Sequence, residues 1–211
     1  MKAKYKMTQE QNIFVAERNI VDYIWKSAHL EGINITFPES NAIFEGISVK
    51  GVKVENIIKI NNMKRAWNFL FDTVDKLADF DYMCRINMLI GSDGNIFGAG
   101  KVRAYDVRIT GTNWQHQIPF EYDIRNEMAD IAAIESATER AITLMLWGMR
   151  RQIFIDGNTR TAMLIANFDS DCSFIVYHFL IFRGCHERRK QFNLIKRREI
   201  AKPSDLHFVC R

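Results

Sequence analysis

The residues whose types and spacing could do chemistry sit together in "FIDGNTRTAMLIAN", positions 154–167. Asp-Gly-Asn, an arginine and an apolar run read as a loop opening a helix. A helix N-terminus collects phosphate because its first N–H groups are unpaired and lie at the positive end of the macrodipole. Gly157 lets the backbone approach a ligand closely, and Asn158 is expected to cap the helix while offering its amide. Arg160 adds a permanent cation with bidentate reach to phosphoryl oxygens. Asp156, just outside the helix, is a hard oxygen ligand of the kind Mg²⁺ takes when it also holds nucleotide phosphates. The same residues also make ordinary turn chemistry, with Asp156 and Asn158 satisfying the first turn and Arg160 solvated. Two positions before Phe154, where a transfer reaction would want a titratable base, the chain carries Gln152.

Taken in order, Gln152, Phe154, Asp156, Gly157, Asn158, Thr159, Arg160 and Met163 resemble the signature of the Fic family of protein-modifying enzymes, His-x-Phe-x-Asp/Glu-Gly-Asn-Gly-Arg-x-x-Arg. Five positions match, while Gln152, Thr159 and Met163 depart. Upstream, "GAGKVRAYDVRITGTNWQHQIP" is similar to the family's β-hairpin flap through Gly100, Lys101, Arg103, Val107, Ile109, Gly111 and Pro119. "SNAIFEG" resembles its inhibitory helix, with Glu45 at the place of the inhibitory glutamate. The resemblance runs over positions 30–167.

That resemblance implies a mainly α fold, a bundle of helices with one β-hairpin flap. It implies transfer of AMP from ATP to a Ser, Thr or Tyr hydroxyl of a target protein. In such a reaction the residue at position 152 is the general base, Asp156 holds Mg²⁺, and Gly157, Asn158, Thr159 and Arg160 hold the phosphates. Lys101, Arg103, Val107 and Ile109 belong to the flap that binds the target segment by strand-like pairing.

The departures bear on each role. Glutamine has no titratable group near neutral pH, so Gln152 can orient a hydroxyl but cannot take its proton. A base of this kind contributes about 10²- to 10⁴-fold in rate, so severe loss of AMP transfer is expected while nucleotide binding can persist. Thr159 adds a branched Cβ and a hydroxyl donor to the phosphate loop. Met163 lies one turn after Arg160, where the family has a second arginine, and a thioether cannot pair with a γ-phosphate. It also leaves Glu45 without the arginine an inhibitory glutamate would engage; otherwise Glu45 is a surface glutamate before a C-capping glycine. Two functions therefore stand open: an AMP-transferring enzyme, and a catalytically silent Fic-like module that binds a nucleotide or partner.

The elements that must position these residues follow from the apolar pattern. Helical spacing of Ile13, Phe14, Ile20, Val21, Ile24, Trp25 and Ala28 predicts a helix over 11–29, with Thr8 as N-cap. "NAIFEG" predicts a short helix capped by Ser40 or Asn41 and closed by Gly46, and "VENIIKI" another. Met63, Trp67, Leu70, Phe71, Val74 and Leu77 trace a further stripe, and 79–90 another helix. Glycines over 91–100, then alternation through Val102, Tyr105, Val107 and Ile109, predict a hairpin turning at Gly111-Thr112. Helices resume near 123, with Ile134, Ala137, Ala141, Ile142, Met145 and Leu146 facing inward, and the last runs over 158–167.

Bulk composition narrows the class. With 211 residues, 47% hydrophobic and 26% charged, the chain suits one folded domain over 1–182. The net charge of +4 belongs to a basic tail, 183–211, which holds nine Lys or Arg against three Asp or Glu, leaving 20 against 22 in the rest. This tail has no clean amphipathic stripe, and either a divergent extension or a reading-frame change accounts for it. It has no recognisable nucleic-acid reader motif, so nucleic acid is not an expected partner. Cys84, Cys172, Cys185 and Cys210 form no CxxC pair and the histidines are scattered, which argues against zinc or a disulfide framework. No apolar run reaches the length of a membrane span and the N-terminus turns polar, so a cytoplasmic location is expected. Oligomeric state stays open.

Overall fold

The computed structural model describes residues 7–76, 78–107 and 117–167. Seven helices occur there: α1 (Gln9–Leu30), α2 (Phe37–Phe44), α3 (Val54–Asp72), α4 (Phe80–Ile90), α5 (Glu121–Ala132), α6 (Ala137–Arg151) and α7 (Asn158–Ala166). The basic tail and the flap position Ile109 lie outside the described residues.

Local chemistry sets most of the starts. Thr8 and Gln11 form a capping box at α1, Asp79 caps α4 and Ser136 caps α6. Helix α2 begins earlier than the expected Ser40 or Asn41, because Thr36 and Glu39 form a second capping box and Pro38 suits the first turn. Ser40 is instead buried inside the helix. The C-terminal end of α2 is held to α3 by Lys64, whose Nζ donates to the Phe44 carbonyl at 2.6 Å and lies 4.3 Å from its ring centroid.

The two helices expected over "VENIIKI" and the Met63 stripe are one continuous α3. Asn61-Asn62 does not break it, because Asn62 sends its amide sideways to the carbonyls of Ile90 and Ser92 at 3.1 and 2.8 Å. That contact ties α3 to the end of α4.

Helix α7 lies at the centre. It packs on α6, α4 and α3, and every one of its residues is buried. Only its second half, 162–166, is apolar throughout; its first turn carries Asn158, Thr159, Arg160 and Thr161, buried polar groups that need partners in such a place. It packs tightly on α6 at Gly148, where an added Cβ would come within 2.9 Å of the Ala162 Cβ. Around it, Ile60, Trp67, Leu70, Met83, Ile86, Ile90, Ile124, Met145 and Met149 complete the core, with Tyr23 of α1 stacked on Trp67 at 5.6 Å.

Between α4 and α5 the described chain forms turns over 91–100 and irregular backbone over 101–107 and 117–120, with no strand. Asp93, Gly94, Gly98 and Gly100 all have positive φ, which curls this segment back under the loop after α6. The Tyr105 and Gln117 carbonyls, which a hairpin ladder could use, each accept a hydrogen bond from the Arg103 guanidinium at 2.6 Å. The expected turn at Gly111-Thr112 falls outside the described residues.

Candidate functional site

Helix α6 ends at Gln152, which adopts the left-handed conformation, φ 51° and ψ 59°, and turns the chain sharply toward the core. Ile153 and Phe154 are then buried, while Ile155 and Asp156 come to the surface. Gly157, at φ 77°, is the N-cap of α7. A Cβ there would stand 3.1 Å from Asn87 Nδ2 and 3.2 Å from Ile96 Cδ1, so the position is restricted by both conformation and space.

Asn158 does not cap the helix as expected. It is the first helical residue, and its side chain turns back into the loop. Its Oδ1 accepts the Phe154 N–H at 2.9 Å and its Nδ2 donates to the Phe154 carbonyl at 2.8 Å. The same Nδ2 reaches Gln152 Oε1 at 3.4 Å. Asn158 thus staples the loop to itself by satisfying both polar groups of a buried backbone unit. Gln152 is further engaged through Nε2, which donates to the Met149 carbonyl.

The charged residues behave differently. Asp156 keeps 59% of its side chain exposed, with Oδ1 accepting the Gly157 N–H at 2.6 Å and Oδ2 near Arg160 Nη2 at 3.4 Å. Arg160 is buried, with only 3% of its surface accessible, and its Nε and Nη1 have no hydrogen-bond partner among the described residues. Arg160 is therefore not the solvated cation of ordinary turn chemistry. Nor does a single long contact to one carboxylate oxygen satisfy a guanidinium in that setting. No side chain caps the first turn of α7 either. A fork of unpaired donors beside an uncapped helix start is the donor set an anionic oxygen group would complete.

No cluster of three or more His, Cys, Asp or Glu suited to a metal occurs among the described residues. Asp156 is the one carboxylate of this loop. That fits a Mg²⁺ ion held mostly by phosphate oxygens and water, and does not fit an all-protein metal cage.

Thr159 and Met163 are both buried, and Met163 belongs to the core. Glu45 is exposed at the C-terminal end of α2, and neither a hydrogen bond nor an ion pair joins it to Arg160. Of the residues expected in a flap, Lys101 is exposed and Val107 half-buried. Arg103 is 1% exposed and donates through Nε to the Gln152 carbonyl at 2.6 Å, while its own N–H bonds the Ile153 carbonyl at 3.0 Å. Burial pushes its guanidinium pKa down, and Arg151 does so further, against an opposing contribution from Asp106. Its side chain joins the backbone at Tyr105 and Gln117 to the residue at position 152.

Asn87 was not anticipated. Its buried amide donates to the Asp156 carbonyl and to Thr161 Oγ1, each at 3.0 Å, and accepts the Gly100 N–H at 2.8 Å. The available signal was an asparagine on the core-facing stripe Met83, Ile86, Ile90 of α4, where a polar side chain needs a specific partner.

No family model and no curated protein matches the chain. Solved structures do. A Fic domain containing signaling protein from Bacteroides thetaiotaomicron VPI-5482 superposes with a TM-score of 0.68 at 17% identity, covering 90% of this chain and 76% of that one. Fic-1 from C. elegans gives 0.68 at 19%, over 92% and 59%. A Fic family protein from Desulfovibrio desulfuricans G20 gives 0.68 at 16%, over 92% and 68%. The chain spans between about three fifths and three quarters of these structures. The shared feature at this identity is the fold, and it is a Fic fold.

Proposed function

We propose that this Fic-fold protein binds a nucleotide by its phosphates at the loop 154–160, together with Mg²⁺. The buried, half-unsatisfied guanidinium of Arg160 carries this reading: two donors out of contact with water and protein cost free energy that a phosphoryl group would recover. Asp156 would share the Mg²⁺ with the phosphates, and the first-turn amides of α7, including those of Asn158 and Thr159, would contribute N–H groups.

The reaction open to such a site is transfer of AMP from ATP to a Ser, Thr or Tyr hydroxyl of a target protein. The hydroxyl oxygen attacks the α-phosphorus, the bond to the β-phosphate breaks, and pyrophosphate leaves. The proton must go to water, because Gln152 can accept a hydrogen bond but cannot become protonated. Transfer is accordingly slow, about 10²- to 10⁴-fold below what a base would support.

A second reading is a catalytically silent module that binds nucleotide without transfer. It is favoured by the engagement of Gln152, whose amide is committed to the Met149 carbonyl and to Asn158.

Calorimetric titration of the full chain with ATP, with and without Mg²⁺, tests the common part. Binding is expected, strengthened by Mg²⁺ in the parent, without that gain in Asp156→Ala, and at least tenfold weaker in Arg160→Ala. Absence of binding in the parent would sink both readings. Incubation with α-phosphate-labelled ATP and lysate separates them, since a labelled protein band supports transfer and its absence supports the silent module.

A further inference from the structure

We propose that Asn87, on α4, is a positioning residue for the Mg²⁺-binding half of the site, acting through the Asp156–Gly157 peptide. The proposal rests on nucleotide binding at this loop. Its basis is the placement of one buried amide under the turn. Asn87 Nδ2 donates to the Asp156 carbonyl at 3.0 Å, and its Oδ1 accepts the Gly100 N–H at 2.8 Å. Gly157 leaves the space that the amide occupies, since a Cβ there would lie 3.1 Å from Nδ2.

The consequence concerns which bonds of Asp156 stay free to turn. With its carbonyl pinned inward, the backbone of Asp156 is fixed, and the carboxylate can reorient only about its side-chain torsions. In the present arrangement both carboxylate oxygens are in use, Oδ1 on the Gly157 N–H at 2.6 Å and Oδ2 toward Arg160 at 3.4 Å. Each oxygen keeps a further lone pair, so offering one to a cation needs only a turn about the side-chain torsions, without moving the loop. A fixed backbone confines the carboxylate to a small arc, which lowers the ordering cost of binding.

An amide suits this duty because it must donate on one edge and accept on the other. Aspartate has nearly the same shape but would set an acceptor against the Asp156 carbonyl. Arg160, whose buried Nε and Nη1 have no hydrogen-bond partner among the described residues, is carried by α7 and makes no direct bond to Asn87. Loss of the amide should therefore reduce the Mg²⁺-dependent gain in affinity and leave Mg²⁺-free binding nearly intact. A merely structural asparagine would lower both together or neither.

Thr161→Val supplies the structural control. It removes the other Nδ2 contact, at 3.0 Å, and leaves the Asp156 and Gly100 contacts in place. The full chain carrying Asn87→Asp, Asn87→Ser or Thr161→Val is titrated with ATP with and without Mg²⁺, and Tm is recorded for each. The Mg²⁺-dependent gain is expected to fall at least fivefold in Asn87→Asp and to be partly restored in Asn87→Ser, whose hydroxyl can donate. Mg²⁺-free affinity should change less than threefold, and Thr161→Val should lower Tm while keeping the full gain. If Thr161→Val loses the gain equally, or the Asn87 variants keep it, the assignment is overturned. A parent chain that binds no nucleotide overturns instead the reading beneath it, and the assignment with it. Should Asn87→Asp fail to fold, Asn87→Ala, which removes both edges of the amide, carries the same comparison.

Discussion

Arg103 Nε donates to the backbone carbonyl of Gln152 at 2.6 Å, so the residue at the position of a catalytic base is held by a side chain 49 places earlier in the chain. The same guanidinium holds the Tyr105 and Gln117 carbonyls. Replacing it by leucine would leave the Gln152 carbonyl without its partner, while the carbonyls of the exposed Tyr105 and Gln117 can turn to water. Arg103→Leu is therefore expected to lower unfolding free energy by about 1 to 3 kcal/mol, the cost of one buried unsatisfied group. A urea midpoint unchanged from the parent would show that the clamp contributes little.

Gly148 predicts a second effect on stability, at the contact between α6 and α7. A Cβ there would meet the Ala162 Cβ at 2.9 Å and Met83 Cε at 3.1 Å. Methionine can move, but the alanine Cβ is fixed to its helix, so α6 and α7 must separate. Gly148→Ala should cost about 1 to 3 kcal/mol by overpacking, despite the better helix propensity of alanine. Ala162→Gly in the same chain should recover much of that loss, and thermal unfolding of the single and double variants measures the coupling.

Histidine at position 152 is the informative substitution for chemistry. The left-handed backbone there, φ 51°, is one that histidine tolerates better than most residues. Gln152→His keeps the backbone carbonyl that Arg103 holds and adds a group able to accept a proton near neutral pH. If AMP transfer is limited only by the missing base, labelling from α-phosphate-labelled ATP should rise by about 10²-fold or more. An unchanged rate alongside intact nucleotide binding would place the block elsewhere, at Thr159 or Met163.

How far the site was legible in the sequence depends on whether a residue acts through its neighbours in the chain or through distant ones. The order of Phe154, Asp156, Gly157 and Arg160 points to a loop and helix start, and the structure has both. Thr8 is legible as a cap for the same reason, whereas Asp79, placed inside the helix expected over 79–90, and Ser136 are identified as caps only by the structure. The Thr36 cap was missed because Ser40 and Asn41 compete for that role on paper, and only burial of Ser40 in the helix decides it. The burial of Arg160 leaves no local sign, since nothing near it in the chain says that α7 is surrounded by α3, α4 and α6. Asn87 and the clamp of Arg103 act across 69 and 49 positions, and such separations leave no mark on local periodicity.

Cys84 provides a test of the α4 environment. Burial first, and then the charges of Asp81 and Glu121, push its thiol up to about 12. The neutral thiol is the favoured form in the folded protein. Its contribution to stability is complete below the unfolded value of about 8.5 and fades as pH rises from there toward 12. The thiolate is the reactive species, so alkylation of Cys84 by iodoacetamide at pH 8 should be at least tenfold slower in the folded chain than in urea. Mass-spectrometric mapping of the Cys84 peptide reads this directly, and equal rates would contradict the burial.

The last prediction sets stability against function at Arg160. In the free protein its buried Nε and Nη1 are unsatisfied, and its carboxylate partner Asp156 is largely exposed and distant at 3.4 Å. Such a group is retained at a cost of about 1 to 3 kcal/mol for each unpaired donor site. Methionine has a similar length and no polar atoms needing partners, and replacing a poorly paired buried charge by an apolar side chain is often neutral or stabilising. Arg160→Met should then leave Tm equal to or above that of the parent while weakening ATP binding at least tenfold. Arg160→Lys should do neither cleanly, because a point charge lacks the planar fork and still resists burial. A Tm several degrees below the parent in Arg160→Met would mean that the arginine already serves the fold, and that its free donors are not waiting for an anion.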